Sequence, residues 1–165
     1  MRLFLLLLVF PFSFLYAQYN PGAINYGGSV HKNIWSDSYG AGARVEYAAN
    51  CFTTFLGEVN LSNNDSNING ELVSSVNLIL FNFHPTTITA GMGFLLNFDK
   101  NYIENDSSFL VFENENAQFG ALMKFRALHK VSRTVHIFAE MNLRSIGREY
   151  HNVSVGYNYN FGARK

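Results

Sequence analysis

A strict two-residue alternation near the C-terminus constrains the fold of this chain more than any other feature. Between residues 151 and 161, one parity is apolar and aromatic, and the other carries only small or amide side chains. The first set is Val153, Val155, Tyr157, Tyr159 and Phe161, and the second is Asn152, Ser154, Gly156, Asn158 and Asn160. A two-residue period is that of a β-strand. Because the polar face has no charge and the aromatics gather at one end, the pattern is typical of a strand with lipid on one side and a polar lumen on the other.

The first residues predict export. Arg2 forms a short positive region, residues 3–16 form an apolar stretch that Pro11 interrupts, and the small residue Ala17 follows. This organisation is typical of a secretory signal peptide. A membrane-spanning helix is the alternative, but the run is shorter than the roughly 20 residues that a helical span needs. We therefore expect residues 1–17 to be a signal peptide and residues 18–165 to form one domain.

The composition favours strands as the elements that meet lipid. After residue 17 the sequence has no apolar run long enough for a transmembrane helix. Charged residues make up 15% of the chain and aromatic residues 16%, whereas ordinary soluble domains have roughly 25% charged residues. Strands in lipid must close into a barrel, because an open edge would leave backbone groups unpaired. The net charge is zero and gives no indication of nucleic-acid binding.

Seven further segments alternate, so that eight strands are predicted in an all-β, antiparallel up-and-down barrel. The alternation is regular in residues 39–47, 87–98, 117–128 and 135–144, and less regular in 24–34, 55–61 and 71–83. The last of these is apolar on both parities at Ile79, Phe81 and Phe83. Links at 48–51, 84–86 and 129–134 are short, whereas 62–67, 99–116 and 145–150 are longer or more polar. The link at residues 35–38 is short, although a long loop is expected at this position. This alternation predicts short turns on one side of the barrel and long loops on the other.

Charged residues on the inward parity are the candidate site. They are Arg44, Glu46, Glu58, Glu71, Lys124, Arg126, Glu140 and Arg144, four of each sign. Side chains just fill the interior of an eight-stranded barrel, and buried charges there must be paired. We therefore predict a structural plug of salt bridges, with a gated ion path as the alternative. A turn centred near residue 132 predicts that Lys124 lies directly opposite Glu140 on the next strand.

The strand Tyr-Gly-Ala-Gly-Ala-Arg-Val-Glu-Tyr at 39–47, the ending Val-Gly-Tyr-Asn-Tyr-Asn-Phe at 155–161 and the signal peptide resemble the small outer-membrane β-barrels of the OmpA/OmpX type. The family often ends on its terminal aromatic residue, whereas Gly-Ala-Arg-Lys follows Phe161 here. The resemblance implies a transmembrane barrel in the bacterial outer membrane, with membrane lipid, lipopolysaccharide and the barrel-insertion machinery as partners. It implies a structural or interaction role through the outer loops. We do not expect the peptidoglycan-binding domain that OmpA proteins add.

The candidates for catalysis and metal binding are sparse. Some barrels of this size modify lipid A with a His-x-Ser pair, but His151 and Ser154 are three residues apart and fall on opposite faces of a strand. Cys51 is the single cysteine and forms neither a disulfide nor a metal site alone. The acidic loop 99–116 lacks the spacing of an EF-hand, so a protein partner is its expected contact. We expect neither catalytic activity nor a bound cofactor or metal ion. A narrow pore, a lipid-modifying enzyme and a soluble calycin-like barrel that binds an apolar ligand remain alternatives.

Overall fold

The strands form one closed antiparallel wall. The computed structural model describes residues 20–64, 67–98, 112–114 and 117–161. The strands of these residues are β1 (Ile24–Asn33), β2 (Tyr39–Ala48), β3 (Thr53–Asn64), β4 (Asn67–Phe83), β5 (Thr86–Phe98), β6 (Phe112–Asn114), β7 (Ala117–Lys130), β8 (Val135–Arg144) and β9 (Asn152–Asn160). Apart from β6, each strand pairs with two neighbours in the wall, and the β5–β7 and β1–β9 pairings close the circle. The predicted fold, an all-β barrel of eight antiparallel strands, is confirmed.

Two short elements lie outside this wall. β6 pairs only with the start of β7, where Phe112 lies opposite Phe119. A 3₁₀ helix, Arg148–Tyr150, occupies the link between β8 and β9. Within the described ranges we find no helix that is both long and apolar enough to cross a membrane. The predicted signal peptide and most of the loop 99–116 lie outside the described residues.

The two ends of the barrel differ in the segments that they carry. Both termini of the barrel and the short links 49–52, 84–85 and 131–134 lie at one end, here called the terminal end. The links 34–38 and 145–151 lie at the other, here called the loop end, together with the strand ends at Asn64, Asn67, Phe98 and Ala117. One expectation about these links was wrong. Residues 62–64 and 67 are not part of a loop, because β3 and β4 continue until Asn64 pairs with Asn67.

The alternation of side chains sets the inner and outer faces. In β9, Val155 is 56% exposed, whereas Ser154 is 5% exposed. β4 explains the stretch that is apolar on both parities: its pairing with β5 skips Leu80, so a bulge interrupts the register between Ile79 and Phe81. One extra residue reverses the direction of the side chains that follow it. Before the bulge the even-numbered side chains of β4 point outward. After it the odd-numbered side chains of Phe81 and Phe83 do so.

The predicted register between β7 and β8 was wrong by two residues. Lys124 lies opposite Asn142, and Glu140 lies opposite Arg126. β7 continues to Lys130, and the turn closes with a hydrogen bond of 3.0 Å from the Val131 amide to the Val135 carbonyl. The turn is therefore centred on residue 133 rather than 132. An even shift preserves the inward direction of both side chains.

Candidate functional site

The structure places all eight predicted inward charges inside the lumen. Arg144 is the most exposed of them at 8%, and Glu46 is completely buried. They project from five strands, β2, β3, β4, β7 and β8. Because the four cations and four carboxylates balance, the lumen carries no net charge. Their arrangement divides into a central cluster of four and two flanking pairs.

The central cluster joins Arg44, Glu58, Lys124 and Glu140. Both cations contact Glu58. Both also contact Oε1 of Glu140, Arg44 Nη2 at 3.1 Å and Lys124 Nζ at 3.3 Å. Arg44 donates a second hydrogen bond, from Nη1 to Glu140 Oε2 at 3.2 Å, so this pair is bidentate. β2 and β3 lie across the barrel from β7 and β8, so the cluster bridges opposite walls. Lys124 and Glu140 thus form an ion pair diagonally, although they are not directly opposed.

The first flanking pair lies on the terminal-end side of the cluster. Arg126 contacts Glu46 across the lumen. Glu46 also accepts hydrogen bonds from the Thr54 hydroxyl at 2.6 Å and from the Asn158 amide at 3.0 Å. These bonds satisfy a carboxylate that has no access to water.

The second flanking pair lies on the loop-end side. Arg144 Nη2 is 2.7 Å from Glu71 Oε1. The same carboxylate oxygen accepts a hydrogen bond of 2.9 Å from the Asn60 amide, and Arg144 also donates to the Tyr150 carbonyl. The side chain of Arg144 therefore joins the lumen to the link between β8 and β9.

Apolar side chains close the lumen beyond these charges, and sequence reasoning missed them. A terminal-end cluster consists of Ala23, Ala48, Leu128 and Phe138. A loop-end cluster consists of Val73, Leu95, Leu122 and Ile146, with Tyr150 packed against it. In the sequence, an apolar residue on the inward parity, such as Leu95, is the available signal. The ring of Phe138 also lies 3.9 Å from the Arg44 guanidinium, which is a cation–π contact.

Ile146 enters the lumen from a link rather than from a strand. It is fully buried. Gly120 makes room for it, because a Cβ on that glycine would lie 2.5 Å from Ile146 Cγ2. The neighbouring Ser145 hydroxyl accepts a hydrogen bond of 2.8 Å from the Ala121 amide. Gly147 then turns the chain back with φ of 147°, a conformation that favours glycine. The link therefore acts as a plug across the loop end.

The centre of the lumen is nearly full. A void of about 10 Å³ lies among residues that include Arg44, Glu58 and Glu140. A space of this size holds about one water molecule. The void itself is too small to form a path through this part of the lumen.

The histidine and the serine that were considered for catalysis form hydrogen bonds with other residues, not with each other. His151 Nδ1 accepts a hydrogen bond of 3.1 Å from the Arg144 amide, and the Ser154 hydroxyl donates to Glu140 Oε1 at 3.3 Å. Cys51 is a free thiol in the link between β2 and β3. Across the described ranges, no group of three or more His, Cys, Asp or Glu side chains is placed to hold a metal ion.

Two solved structures share this architecture. The N-terminal β-barrel domain of Pseudomonas aeruginosa OprF aligns with a TM-score of 0.66 and 11% identity, over 87% of this chain and 100% of that one. A de novo designed transmembrane β-barrel aligns with a TM-score of 0.60 and 15% identity, over 86% and 98%. No protein-family model matches the sequence, and no curated protein matches it. At these identities the likeness shows the fold alone, a closed barrel of eight antiparallel strands.

Proposed function

We propose that this chain is a bacterial outer-membrane protein that spans the bilayer as a closed barrel, keeps its lumen shut and acts through its loop end. The outward face carries the proposal. Within the eight barrel strands, Lys32 is the one charged residue at an outward position, and it lies at the loop end beside Asp37, 3.7 Å from its carboxylate. A soluble barrel would place charges over this face, so the calycin-like alternative is disfavoured.

Aromatic residues mark two boundaries on the same face. Exposed aromatics near the terminal end include Tyr26, Tyr47, Phe55, Phe83, Tyr159 and Phe161, and those near the loop end include Trp35, Tyr39, Phe94, Phe98 and Phe119. Between them most exposed residues are aliphatic, as at Val30, Val59 and Val155, with Phe125 as an exception. Aromatic girdles that flank an apolar band are typical of barrels at the two surfaces of a membrane. This pattern supports a spanning orientation with the strands across the bilayer.

The lumen supports a structural or interaction role rather than transport. Paired charges fill its middle, and an apolar cluster closes each end. The pore alternative requires both apolar clusters and the central ion pairs to move. A catalytic role is not proposed, because His151 and Ser154 are bonded to different partners.

The proposed partners follow from the two surfaces. Membrane lipid and lipopolysaccharide would cover the outward face, and the barrel-insertion machinery would assemble it. The loop 99–116 contains five acidic residues, Asp99, Glu104, Asp106, Glu113 and Glu115, and the single basic residue Lys100. We propose that this loop is the contact for a protein partner.

Expression with the first 17 residues retained, followed by density separation of the inner and outer membranes, tests the proposal. The protein should be recovered with the outer membrane and should migrate faster on gels before heating than after it, as a folded barrel does. In planar bilayers it should show no large, steady conductance. Recovery in the soluble periplasmic fraction would overturn the membrane assignment, and steady openings on the scale of a porin would overturn the closed lumen.

A further inference from the structure

We propose that the outward face carries a site for an anionic phospholipid, with an acyl chain in a shallow bowl over β7, β8, β9 and β1 and the phosphate beside the β7–β8 turn. This inference rests on the proposed bilayer-spanning function. It adds a specific lipid position to a surface that would otherwise meet lipid without preference.

Cross-strand pairing builds the bowl from small and medium side chains. One row across the wall is Ala127, Ala139, Val155 and Val30, and the next row toward the terminal end is His129, Ile137, Tyr157 and Gly28. The ring of Tyr157 lies over Gly28, where a Cβ would be 3.6 Å from its Cε1. The floor is therefore closed, although Gly28 itself has no side chain.

Larger residues surround the bowl. The row on its loop-end side contains Phe125, Met141 and Val153. On its terminal-end side, Phe161 lies 6.1 Å, centroid to centroid, from both Tyr26 and Tyr159. The volume of this shallow, open bowl is about 830 Å³, within the roughly 300–1,000 Å³ of small-molecule sites. Within a bilayer, hydrocarbon must fill such a space.

Charge at the terminal end specifies the headgroup. His129 lines the bowl, and its Nδ1 lies 2.9 Å from the Thr86 hydroxyl, which holds the ring in place. Arg133 lies exposed at the centre of the turn, whereas Lys130 has the inward parity and lies opposite the buried His136. The described terminal-end links contain no Asp or Glu.

The sequence reinforces this asymmetry. Apart from the four lumen glutamates, the acidic residues that the structure describes, Asp37, Glu113 and Glu149, all belong to segments at the loop end. Lys and Arg near a membrane surface attract anionic lipid headgroups. A phosphate at the basic turn therefore lies near a cation and away from the carboxylates of the described links.

A second copy of the chain fits this surface less well. A two-fold dimer places the same patch against itself, so two concave bowls would face each other and the basic turns of both copies would be brought together. A single flexible acyl chain fills the concavity without that repulsion. We therefore assign the bowl to lipid.

Native mass spectrometry tests the site. The folded protein is incubated in micelles that contain equal amounts of phosphatidylglycerol and phosphatidylethanolamine, and the retained lipid is identified. We expect retention of phosphatidylglycerol in preference. Ala139→Phe, which fills the bowl, should abolish that retention. The matched control is Ala90→Phe, at an outward small residue on β5 outside the bowl, and it should retain the lipid as the native protein does.

Charge variants test the headgroup separately. Arg133→Gln should lower the preference for phosphatidylglycerol by about fivefold, whereas Arg148→Gln in the loop-end link should leave it unchanged. Equal retention of both lipids by the native protein, or full retention by Ala139→Phe, would overturn the site. Heat-modifiable mobility is measured for each variant. A native protein that does not fold and insert would instead refute the spanning function on which the site rests.

Discussion

Replacing Glu140 with glutamine removes one charge from the central cluster while keeping the size of the side chain. Glu140 accepts the bidentate pair from Arg44 at 3.1 and 3.2 Å, and Lys124 lies 3.3 Å away. The side chains of Arg44, Lys124 and Glu140 are each 1% exposed. In Glu140→Gln, two buried cations would share the single carboxylate of Glu58, so that the lumen has an uncompensated positive charge.

The expected cost is large because water cannot compensate the remaining charge. Breaking a buried ion pair by removing one partner costs about 3–5 kcal/mol. The exposed pair of Lys32 and Asp37, whose side chains are 48% and 92% exposed, provides the control. Loss of such a surface pair costs about 0–1 kcal/mol. Urea unfolding of Glu140→Gln and of Asp37→Asn in lipid vesicles compares the two free energies directly.

A double variant separates charge from packing. Lys124→Met added to Glu140→Gln removes one cation with the one carboxylate and leaves Arg44 with Glu58. The double variant should recover part of the loss, and the coupling between the two sites should lie within about 0.5–3 kcal/mol. The reasoning would be refuted if Glu140→Gln cost no more than Asp37→Asn, or if the two central substitutions were additive.

Three further outcomes test other parts of the structure. Val155→Arg should cost about 2–4 kcal/mol in lipid, the penalty for arginine near the middle of the lipid face, and Ser154→Arg should be tolerated better; equal folding yields in a gel-mobility assay would contradict the inward and outward assignment. Ile146→Ala should destabilise the barrel by about 2–5 kcal/mol, the usual cost of truncating a buried isoleucine, and an unchanged urea midpoint would show that the plug adds no packing energy. Gly120→Leu should displace the 145–151 link, detected as faster protease cleavage there, because its side chain would overlap Ile146; cleavage at the native rate would contradict the contact.

Much of the barrel is predictable because one face of each strand meets lipid and the other meets a crowded lumen. The two-residue period therefore survives in the sequence, and it places Val155 outside and Ser154 inside without any knowledge of the neighbours. Where the backbone departs from a regular ladder, the same period misleads. The bulge at Leu80 reverses the faces of Phe81 and Phe83, and nothing in the alternation alone distinguishes a bulge from a strand that is apolar on both sides.

Register is harder to predict, because it depends on the exact centre of each turn. A one-residue error at the β7–β8 turn moved the predicted partner of Lys124 by two positions, from Glu140 to Asn142. The ion pair nevertheless forms, because long side chains reach diagonal neighbours across a narrow lumen. The inward direction of a side chain thus limits which charges can form an ion pair, whereas the register decides only which residues lie directly opposite each other on neighbouring strands.

The closure of the loop end depends on contacts that have no local sequence signal. Ile146 lies in a link, where its burial depends on the missing side chain of Gly120, on the turn at Gly147 and on the hydrogen bond between Ser145 and Ala121. Each of these residues has an ordinary explanation when considered alone. Together they seat an apolar side chain among Val73, Leu95 and Leu122 at the loop end of the lumen. Since charge pairs are stronger where water is excluded, the plug and the ion pairs reinforce each other, and the lumen is closed by their combination rather than by either one.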